Sequence, residues 1–245
     1  MVCTTSNGMN DRPKKVIIFI GPPGSGKDTQ ADMLAEDFEF YHIQSSRIIE
    51  KKFEEADPND PIMQEEKNKF KEGKLTKPEL VLGWIIEEIR KAKRENNDLV
   101  FSGSARTVPE VEGELPVLEE LYGKENVYVI NIEASEDESI KRNSTRRICK
   151  GNRHPIPNLP EFENLKTCPK DGSEIITRTL DKPEIIKVRY QTYLEETKPV
   201  LDIFKRRGYT VIPINGEQSI RNVHKDVLTA IDAYGHTELL EKFGE

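Results

Sequence analysis

Residues 21–27, which read GPPGSGK, constrain the fold of this 245-residue chain more than any other stretch. They follow a short β-branched run, residues 14–20, and precede a segment with apolar residues at helical spacing. Glycines in such a strand-to-helix turn let the backbone curve with its N–H groups pointing inward, and the helix contributes its positive N-terminal end. Lys27 can then bridge terminal phosphates. The pattern predicts a phosphate-binding loop that holds a nucleotide.

Asp28 departs from the usual pattern of such a loop. Ser or Thr ordinarily follows the lysine, because that hydroxyl helps to hold Mg²⁺. One interpretation is an acid in the first turn of a helix, where the helix dipole stabilises negative charge. The other is a carboxylate ligand of Mg²⁺, which commonly takes one or two carboxylates and keeps several waters. Both interpretations stay open at this point.

Strand-like and helix-like segments alternate along the chain. This alternation predicts an α/β P-loop three-layer fold, with a parallel sheet of about five strands and helices on both faces. The predicted strands lie at 14–20, 41–44, 98–104, 126–132 and 209–215. The predicted helices after the loop include 45–56, 78–96, 135–148, 182–208 and 219–234, the fourth of them with a kink at Pro199.

Residues 149–177 interrupt the alternation, because they contain four prolines and little periodicity. A long irregular segment within a compact domain is typical of a lid or a binding loop. The predicted organisation is a flexible N-terminal tail (1–13), a core (14–148 and 178–235), an inserted lid (149–177) and a C-terminal tail (236–245).

Composition narrows the class of partner and compartment. Charged residues make up 33% of the chain and the net charge is −7, which argues against a nucleic-acid partner. The sequence has no apolar run near the roughly 20 residues that a membrane helix needs, and no N-terminal segment typical of a signal peptide. Three cysteines do not make a disulfide framework. We expect a monomeric cytoplasmic protein that binds neither membrane nor nucleic acid.

Four stretches together resemble the adenylate kinase family of nucleoside monophosphate kinases. They are GPPGSGKDTQA (21–31), SGSART (102–107), IKRNSTRR (140–147) and TRTLDKPEIIKVR (177–189), and the resemblance runs from about residue 14 to residue 234. It implies transfer of the γ-phosphoryl of ATP to a nucleoside monophosphate with Mg²⁺, so ATP and Mg²⁺ are the expected cofactors. It also implies an acceptor-binding segment at about 44–74.

The resemblance assigns roles to arginines, which phosphoryl transfer needs for positioning and charge neutralisation. Arg106 and Arg189 would hold the acceptor phosphate and the transferred group, and Arg146 and Arg178 would reach the ATP phosphates. With Lys27 they form the predicted catalytic set. Arg142 would stack on the donor adenine.

Two sets of binding residues complete the prediction. The nucleotide-binding set is Gly24, Ser25, Gly26, Lys27, Asp28, Thr29, Arg142, Arg146, Gly216 and Gln218. The acceptor-binding set is Ser45, Arg47, Gly103, Arg106, Glu110, Arg178 and Arg189.

The acceptor site departs from the family pattern at two acids. Glu50 replaces an arginine that grips the acceptor phosphate, and Arg47, on the same helical face, could supply the missing charge and pair with Glu50. Glu110 replaces a glutamine that reads adenine. An ionised Glu only accepts hydrogen bonds, which suits the two donors of guanine, so GMP is a candidate acceptor beside AMP. Glu110 could equally be an acid that begins a helix.

A third departure concerns the metal. Ser102 replaces an aspartate that orients Mg²⁺ in the family. We hypothesise that this carboxylate has moved to Asp28.

The lid carries a degenerate metal pattern. Cys149 and Cys168 stand near its ends, and Asn152 occupies a place where family members carry a ligand. His154 could substitute, and Cys149, His154, Cys168 and Asp171 would make an acceptable tetrahedral zinc set. The alternative is a hydrogen-bonded lid core without metal.

Two other functions remain open from the sequence. Glu50 and Glu110 would also suit a small-molecule kinase with a different acceptor. Ser102 would suit a nucleotide-binding module that no longer catalyses.

Overall fold

The computed structural model of the protein describes residues 12–156 and 160–233. The strands in these residues are β1 (Val16–Ile20), β2 (Tyr41–Gln44), β3 (Leu99–Ser102), β4 (Val127–Glu133), β5 (Arg147–Cys149), β6 (Pro155–Ile156), β7 (Ile175–Ile176) and β8 (Val211–Asn215). The helices are α1 (Lys27–Phe38), α2 (Ser45–Glu55), α3 (Pro61–Lys71), α4 (Pro78–Arg94), α5 (Val108–Tyr122), α6 (Glu136–Ser144), α7 (Pro183–Thr192), α8 (Val200–Arg206) and α9 (Ile220–Ala233).

Five strands form one parallel sheet in the order β2-β3-β1-β4-β8. Every residue of the central strand β1 is buried, because helices cover both faces of the sheet. Val16, Ile18 and Ile20 pack with α2, α4 and α5, whereas Ile17 and Phe19 pack on the opposite face with α1 and α9. The predicted α/β three-layer fold is confirmed.

Parallel strands bring their carboxyl ends to one edge of the sheet, and that edge is where ligands bind in such folds. The glycine-rich loop follows β1, Ser45 follows β2, and Gly103 follows β3. Gly216 follows β8, the last strand of the sheet. The topology therefore brings most of the predicted binding residues to one edge.

The predicted long helix at 182–208 is divided in the structure. α7 ends at Thr192, a π-helical turn spans Tyr193–Thr197, and Pro199 is the residue before α8. Proline lacks an N–H and its ring crowds the carbonyl four residues earlier, so the chain cannot continue a regular α-helix there. The predicted helix at 135–148 also ends early, at Ser144, and the chain enters β5 at Arg147.

The lid segment is more regular than its sequence suggested. Strands β6, β5 and β7 form a small antiparallel sheet in that order, and Cys149, Ile156 and Cys168 form its buried centre. Its first strand begins at Arg147, two residues before the predicted lid boundary. The domain boundaries remain a prediction.

The chain ends lie mostly outside the described residues. Of the predicted N-terminal tail (1–13), only Arg12 and Pro13 are among the described residues. The predicted C-terminal tail (236–245) lies outside them. Arg12 forms a two-pronged ion pair with Asp98, with N–O distances of 2.9 and 2.6 Å. Among the described helices, none is both long enough and apolar enough to cross a membrane.

Candidate active site

The glycine-rich loop joins β1 to α1 in a conformation that needs glycine at two points. Gly24 has φ of 78°, and a Cβ there would lie 2.5 Å from Asn143 Nδ2. Gly26 caps α1 with φ of 100°. Lys27 follows at the first position of the helix and donates from Nζ to the Pro22 carbonyl at 2.7 Å. The loop therefore has the shape that the sequence predicted.

A cationic cleft lies beside this loop. It is lined by charged residues from the start of α1, from the segments after α3 and β3, from the two ends of the lid and from α7: Lys27, Asp28, Lys74, Arg106, Arg146, Arg178 and Arg189. All five predicted catalytic residues are in this set. Six cations against one carboxylate in an acidic chain favour a polyanionic ligand.

The electrostatics of the cleft show how crowded these cations are. Burial is the largest cause that lowers the pKa of Lys27, and with Arg106, Arg189 and Arg146 it brings the pKa to about 7 against the pull of Asp28. Burial and neighbouring arginines likewise lower the pKa of Arg189 to about 9 and that of Arg178 to about 10. Phosphates would relieve this repulsion, because opposite charges favour the protonated forms.

Asp181 is a site residue that the sequence did not single out. Its side chain is 3% exposed and accepts two hydrogen bonds from Arg146, at 2.9 and 2.6 Å. Arg189 approaches the same carboxylate at 3.5 Å. Asp181 therefore fixes two of the predicted catalytic arginines relative to each other. Its only sequence signal was its place in the stretch 177–189.

Asp28 lies inside the cleft and not on the outer face of α1. Burial alone would raise the pKa of its carboxyl group, but the Lys27 ammonium and a hydrogen bond from Ser102 outweigh burial and hold the pKa well below its usual range. The carboxylate is therefore ionised in the cleft. Asp28 and Ser102, which the sequence had connected, are direct neighbours.

The acceptor side of the cleft centres on the start of α5. Gly103 has φ of 82°, and a Cβ there would lie 2.4 Å from Arg106 Nη2 and 3.3 Å from Ser45 Oγ. These three predicted residues are thus packed against one another. Arg106 is half-buried, and burial lowers the pKa of its guanidinium although Glu110 and Asp28 oppose the shift.

A small cavity extends from Arg106 and Gly103 towards the interior. Its apolar walls come from α2, α3 and α4, and its polar lining includes Lys74, Thr76 and Glu110. The Thr76 hydroxyl is buried and has no hydrogen-bond partner among the described residues. A buried unpaired hydroxyl is costly unless a ligand satisfies it. The cavity thus offers an unpaired hydroxyl to a ligand.

The Glu110 side chain makes hydrogen bonds at the start of α5 and also lines the small cavity. Its carboxylate accepts the Arg106 backbone N–H at 2.8 Å, while the Thr107 hydroxyl accepts the Glu110 N–H at 3.4 Å. This reciprocal arrangement resembles a capping box. Burial raises the pKa of Glu110, although these hydrogen bonds and Arg106 oppose the shift.

The predicted pairing of Arg47 with Glu50 is wrong. Arg47 is exposed and forms no ion pair in the described part of the chain. Glu50 instead forms a short two-pronged contact with Arg153 of the lid and lies 3.5 Å from Arg178. Glu50 therefore pairs with arginines that are distant in sequence and not with the arginine on its own helix. These contacts join the acceptor helix α2 to the lid.

The predicted donor-base residues lie around the far side of the loop. Arg142 donates to Glu138 at 2.7 Å and approaches the Gly24 carbonyl at 3.4 Å. Gly216 sits so close to the loop that an added Cβ would lie 2.8 Å from the Ser25 carbonyl oxygen. Gln218 is on the same surface and donates to the Asn215 carbonyl at 2.9 Å.

The four predicted zinc residues converge in the lid. The ligand atoms of Cys149, His154, Cys168 and Asp171 all lie within 4.8 Å of one another. Sγ of Cys149 and of Cys168 lie 3.6 and 3.5 Å from His154 Nδ1. Asn152, which replaces a family ligand, donates instead to Asp171 at 3.1 Å from its side-chain amide.

The fold and the cleft together define a class, the P-loop phosphotransferases of nucleotides. The adenylate kinase family model matches residues 19–209. The adenylate kinases of Bacillus velezensis and Bacillus subtilis are each 33% identical to this chain over 214 residues, covering 86% of this chain and 95% of each relative. That of Methanothrix thermoacetophila is 31% identical over 220 residues, covering 89% and 99%. The chain belongs to the adenylate kinase family.

Membership settles the reaction class. The protein is a nucleoside monophosphate kinase, a phosphotransferase with a phosphate group as acceptor. The family in general uses ATP and Mg²⁺. Neither a different class of acceptor nor a non-catalytic module is favoured.

Proposed function

We propose that the cationic cleft transfers the γ-phosphoryl of Mg-ATP to the phosphate of a purine nucleoside monophosphate. The convergence of Lys27, Arg106, Arg146, Arg178 and Arg189 supports this proposal. An oxygen of the acceptor phosphate attacks the γ-phosphorus, the bond to the β-phosphate oxygen breaks, and ADP leaves. Lys27, Arg146 and Arg178 hold the ATP phosphates, and Arg106 and Arg189 hold the acceptor phosphate and the transferred group.

The chain's own contribution is positioning and charge. Phosphoryl transfer needs two nucleotides in line and neutralisation of the charge that spreads over the transferred group. The half-buried guanidinium groups supply that charge where less water competes than at the surface. The Glu50 contacts with Arg153 and Arg178 join the acceptor helix to the lid, so the lid covers the reacting centre and helps to exclude water.

Asp28 is the proposed carboxylate for Mg²⁺, and the residues present fit this ion. Its ionised oxygens lie in the cleft beside Lys27, and the Thr29 hydroxyl follows in the chain. Hard oxygen donors with room for water are what Mg²⁺ requires. When bound, the ion supplies positive charge at the phosphate oxygens.

The acceptor base has two candidates. AMP is the acceptor that the relatives' name, adenylate kinase, indicates. GMP is favoured by a specific pair of groups in the cavity, the Glu110 carboxylate and the unpaired Thr76 hydroxyl. Ionised Glu110 would accept from guanine N1–H and N2–H₂, and Thr76 would donate to O6. Protonated Glu110, which burial favours, would pair with adenine as a glutamine does.

We expect turnover of Mg-ATP with AMP or GMP and far lower turnover with CMP or UMP. The measurement is ADP formation with each monophosphate at a fixed ATP concentration. Glu110→Gln should shift the preference towards AMP, because the amide offers one donor and one acceptor to the adenine edge. Replacement of the exposed Glu112 on the same helix by glutamine is the control and should leave the ratio unchanged.

The outcomes of this assay separate the candidates. A preference for GMP that Glu110→Gln reverses would support recognition of guanine by Glu110. A preference for AMP in both proteins would mean that Glu110 is only an acid at the start of α5. No ADP with any monophosphate would contradict the proposed function.

Zinc in the lid is a further part of the proposal. Zinc bonds of about 2.0–2.3 Å in a tetrahedron place ligand atoms roughly 3.3–3.8 Å apart. The observed separations between His154 Nδ1 and the two sulfurs, 3.6 and 3.5 Å, and between His154 Nδ1 and Asp171, 3.4 Å, are of this size. Cys149, His154, Cys168 and Asp171 would hold the ion, which would tie the two ends of the lid together.

The competing interpretation is a lid core held by hydrogen bonds alone. Ser173 and Asn152 both donate to Asp171 and give its carboxylate partners without a metal. These contacts also hold the pKa of Asp171 below its usual range. Both interpretations use the same residues, so metal content decides between them.

Protein purified without added zinc should contain about one equivalent of the ion, by the one-site count of a structural zinc centre. Atomic absorption on dialysed protein measures it. Cys168→Ser should lose the metal and lower the thermal unfolding midpoint of the lid. A parent protein with almost no zinc would favour the hydrogen-bonded core instead.

A further inference from the structure

Helix α6 contacts the glycine-rich loop through two buried polar side chains. Ser139 and Asn143 lie one turn apart on this helix, and each is 0% exposed. The Ser139 hydroxyl donates to the Pro23 carbonyl at 2.5 Å. A Cβ added to Gly24 would lie 2.5 Å from Asn143 Nδ2, so the loop passes directly over this amide. Neither side chain is among those that line the cleft, so α6 supports the loop from another side.

Two consecutive carbonyl groups of the loop accept hydrogen bonds from α6. The Pro23 carbonyl accepts from Ser139, and the Gly24 carbonyl accepts from Arg142 Nη1 at 3.4 Å. A loop of this kind binds an anion with its N–H groups, and carbonyl oxygens that faced the anion would repel it. Because both donors belong to α6, this helix holds the two carbonyls in an orientation that leaves the loop N–H groups to a ligand.

The chemistry of these groups fixes the direction of each contact. A carbonyl oxygen only accepts, so the Ser139 hydroxyl uses its one hydrogen to bind Pro23. Asn143 Nδ2 donates to the Ser139 carbonyl at 2.7 Å, and Asn143 Oδ1 is buried without a hydrogen-bond partner among the described residues. An unpaired buried acceptor costs free energy, and an apolar side chain of the same size would avoid that cost. Packing alone therefore does not explain a polar pair at these positions.

The same helix leads directly to a cation of the cleft. α6 ends at Ser144, and the Arg146 N–H donates to the Asn143 carbonyl at 3.1 Å. The Arg146 side chain lines the cleft, where Asp181 accepts two hydrogen bonds from its guanidinium. Groups supported by a helix are held more precisely than groups on a free loop. The contact of α6 with the glycine-rich loop therefore also sets the position of the loop relative to Arg146.

We propose that Ser139, supported by Asn143, is a positioning residue that holds the Pro23 carbonyl and thereby keeps the loop N–H groups aimed at the phosphates of ATP. The inference rests on the proposed role of the loop in binding these phosphates. Ser139 touches neither nucleotide in this proposal and acts through the backbone of the loop. The loop thus has two supporting helices: α1, which follows it directly in the chain, and α6, whose Ser139 lies 116 residues beyond Pro23.

The test compares ATP binding with acceptor binding in Ser139→Ala. Alanine is the best helix former, so α6 should persist while the Pro23 carbonyl loses its donor. We expect the calorimetric Kd for ATP to rise about 10-fold, which is near the upper end for the loss of one hydrogen bond. The KM for ATP should rise in parallel. The KM for the acceptor monophosphate should stay within about twofold, as for a substitution away from its site.

Ser144→Ala is the matched control on the same helix. The Ser144 hydroxyl also donates to a backbone carbonyl, that of Ile140 at 2.7 Å, but this acceptor belongs to α6 itself and Ser144 is exposed. Its replacement should leave ATP binding unchanged. Ser139→Cys keeps the size of the side chain with a weaker donor, so its Kd for ATP should fall between those of the parent and Ser139→Ala. Thermal unfolding of each variant checks that the fold is retained.

Lys27→Met separates this inference from the proposed role of the loop. If Lys27→Met weakens ATP binding and Ser139→Ala does not, the loop binds phosphate without help from α6, and the inference alone fails. If neither variant weakens ATP binding, the proposed role of the loop and the inference fail together. Equal weakening of ATP and acceptor binding in Ser139→Ala would assign Ser139 a merely structural role and would also overturn the inference.

Discussion

Arg189→Lys should lower kcat by about 1,000-fold, the lower end of the range for an arginine that stabilises a transferred phosphoryl group. Arg189 enters the cleft from α7, in reach of Lys27, Arg106 and Arg178. A lysine keeps the positive charge but loses the planar fork that contacts two oxygens at once. The change therefore tests geometry, and a deficit mainly in kcat would show that the lost contact forms in the transition state.

The burial of Arg189 is the reason to expect so large an effect. Its pKa falls to about 9 because burial and neighbouring arginines disfavour its charge, and Asp181 at 3.5 Å offsets this only in part. A cation held there against repulsion suits a ligand that carries several negative charges. Steady-state kinetics with saturating ATP and varied acceptor measure the loss.

Arg147→Lys is the matched control for this experiment. Arg147 lies in β5 at the start of the lid, donates to the backbone carbonyls of Phe162 and Glu163, and is not among the residues that line the cleft. Its replacement should leave kcat within about threefold, as expected for a surface change. A similar loss in both variants, or no loss in Arg189→Lys, would contradict the role assigned to Arg189.

Local patterns in the sequence were sufficient to predict the parallel sheet and the glycine-rich loop. The β-branched run before GPPGSGK predicted β1, because a strand buried on both faces reads as continuous apolar residues. The three glycines and Lys27 predicted the loop because each backbone turn there depends on residues a few positions away. The arginines were placed through family resemblance, and the structure brings them into one cleft.

Contacts between distant parts of the chain were beyond local patterns. Helical spacing suggested Arg47 as the partner of Glu50, because its actual partners, Arg153 and Arg178, lie more than a hundred residues away and meet it only in the folded protein. Asp181 looked like one more acid in a charged helix start until the fold placed it between Arg146 and Arg189. Charge pairing depends on distance in space, which sequence spacing reports only within a helix or a hairpin.

Glu114→Gln should stabilise the protein at pH 8 and have little effect near pH 5. Glu114 of α5 is 1% exposed, accepts the Ser104 hydroxyl at 2.6 Å, and has a second carboxylate oxygen without a described partner. Burial and the nearby Glu110 raise its pKa from 4.5 to about 8. Glutamine has nearly the same shape and keeps an acceptor for Ser104, but it cannot ionise.

The direction of the pH dependence follows from proton counting. Above pH 4.5 the unfolded chain releases the Glu114 proton, while the folded protein keeps it until about pH 8. The folded state binds more protons across this window, so the free energy of unfolding falls as pH rises through it. The contribution of Glu114 is fully present below pH 4.5 and is lost as pH approaches 8. Each unit of separation between the two pKa values is worth about 1.4 kcal/mol, so the variant should gain several kcal/mol at pH 8.

Urea unfolding at pH 5, 6.5 and 8 measures this gain for the parent and the variant. The exposed Glu112 on the same helix is the matched control, because its replacement by glutamine is the same chemical change at a position open to solvent. A gain that grows with pH in Glu114→Gln alone would show that Glu114 is protonated in the folded protein, where it accepts the Ser104 hydroxyl. A constant difference at all three pH values would mean that Glu114 is ionised in the fold, with its charge balanced by neighbours such as the Ala105 N–H and the Ser104 hydroxyl.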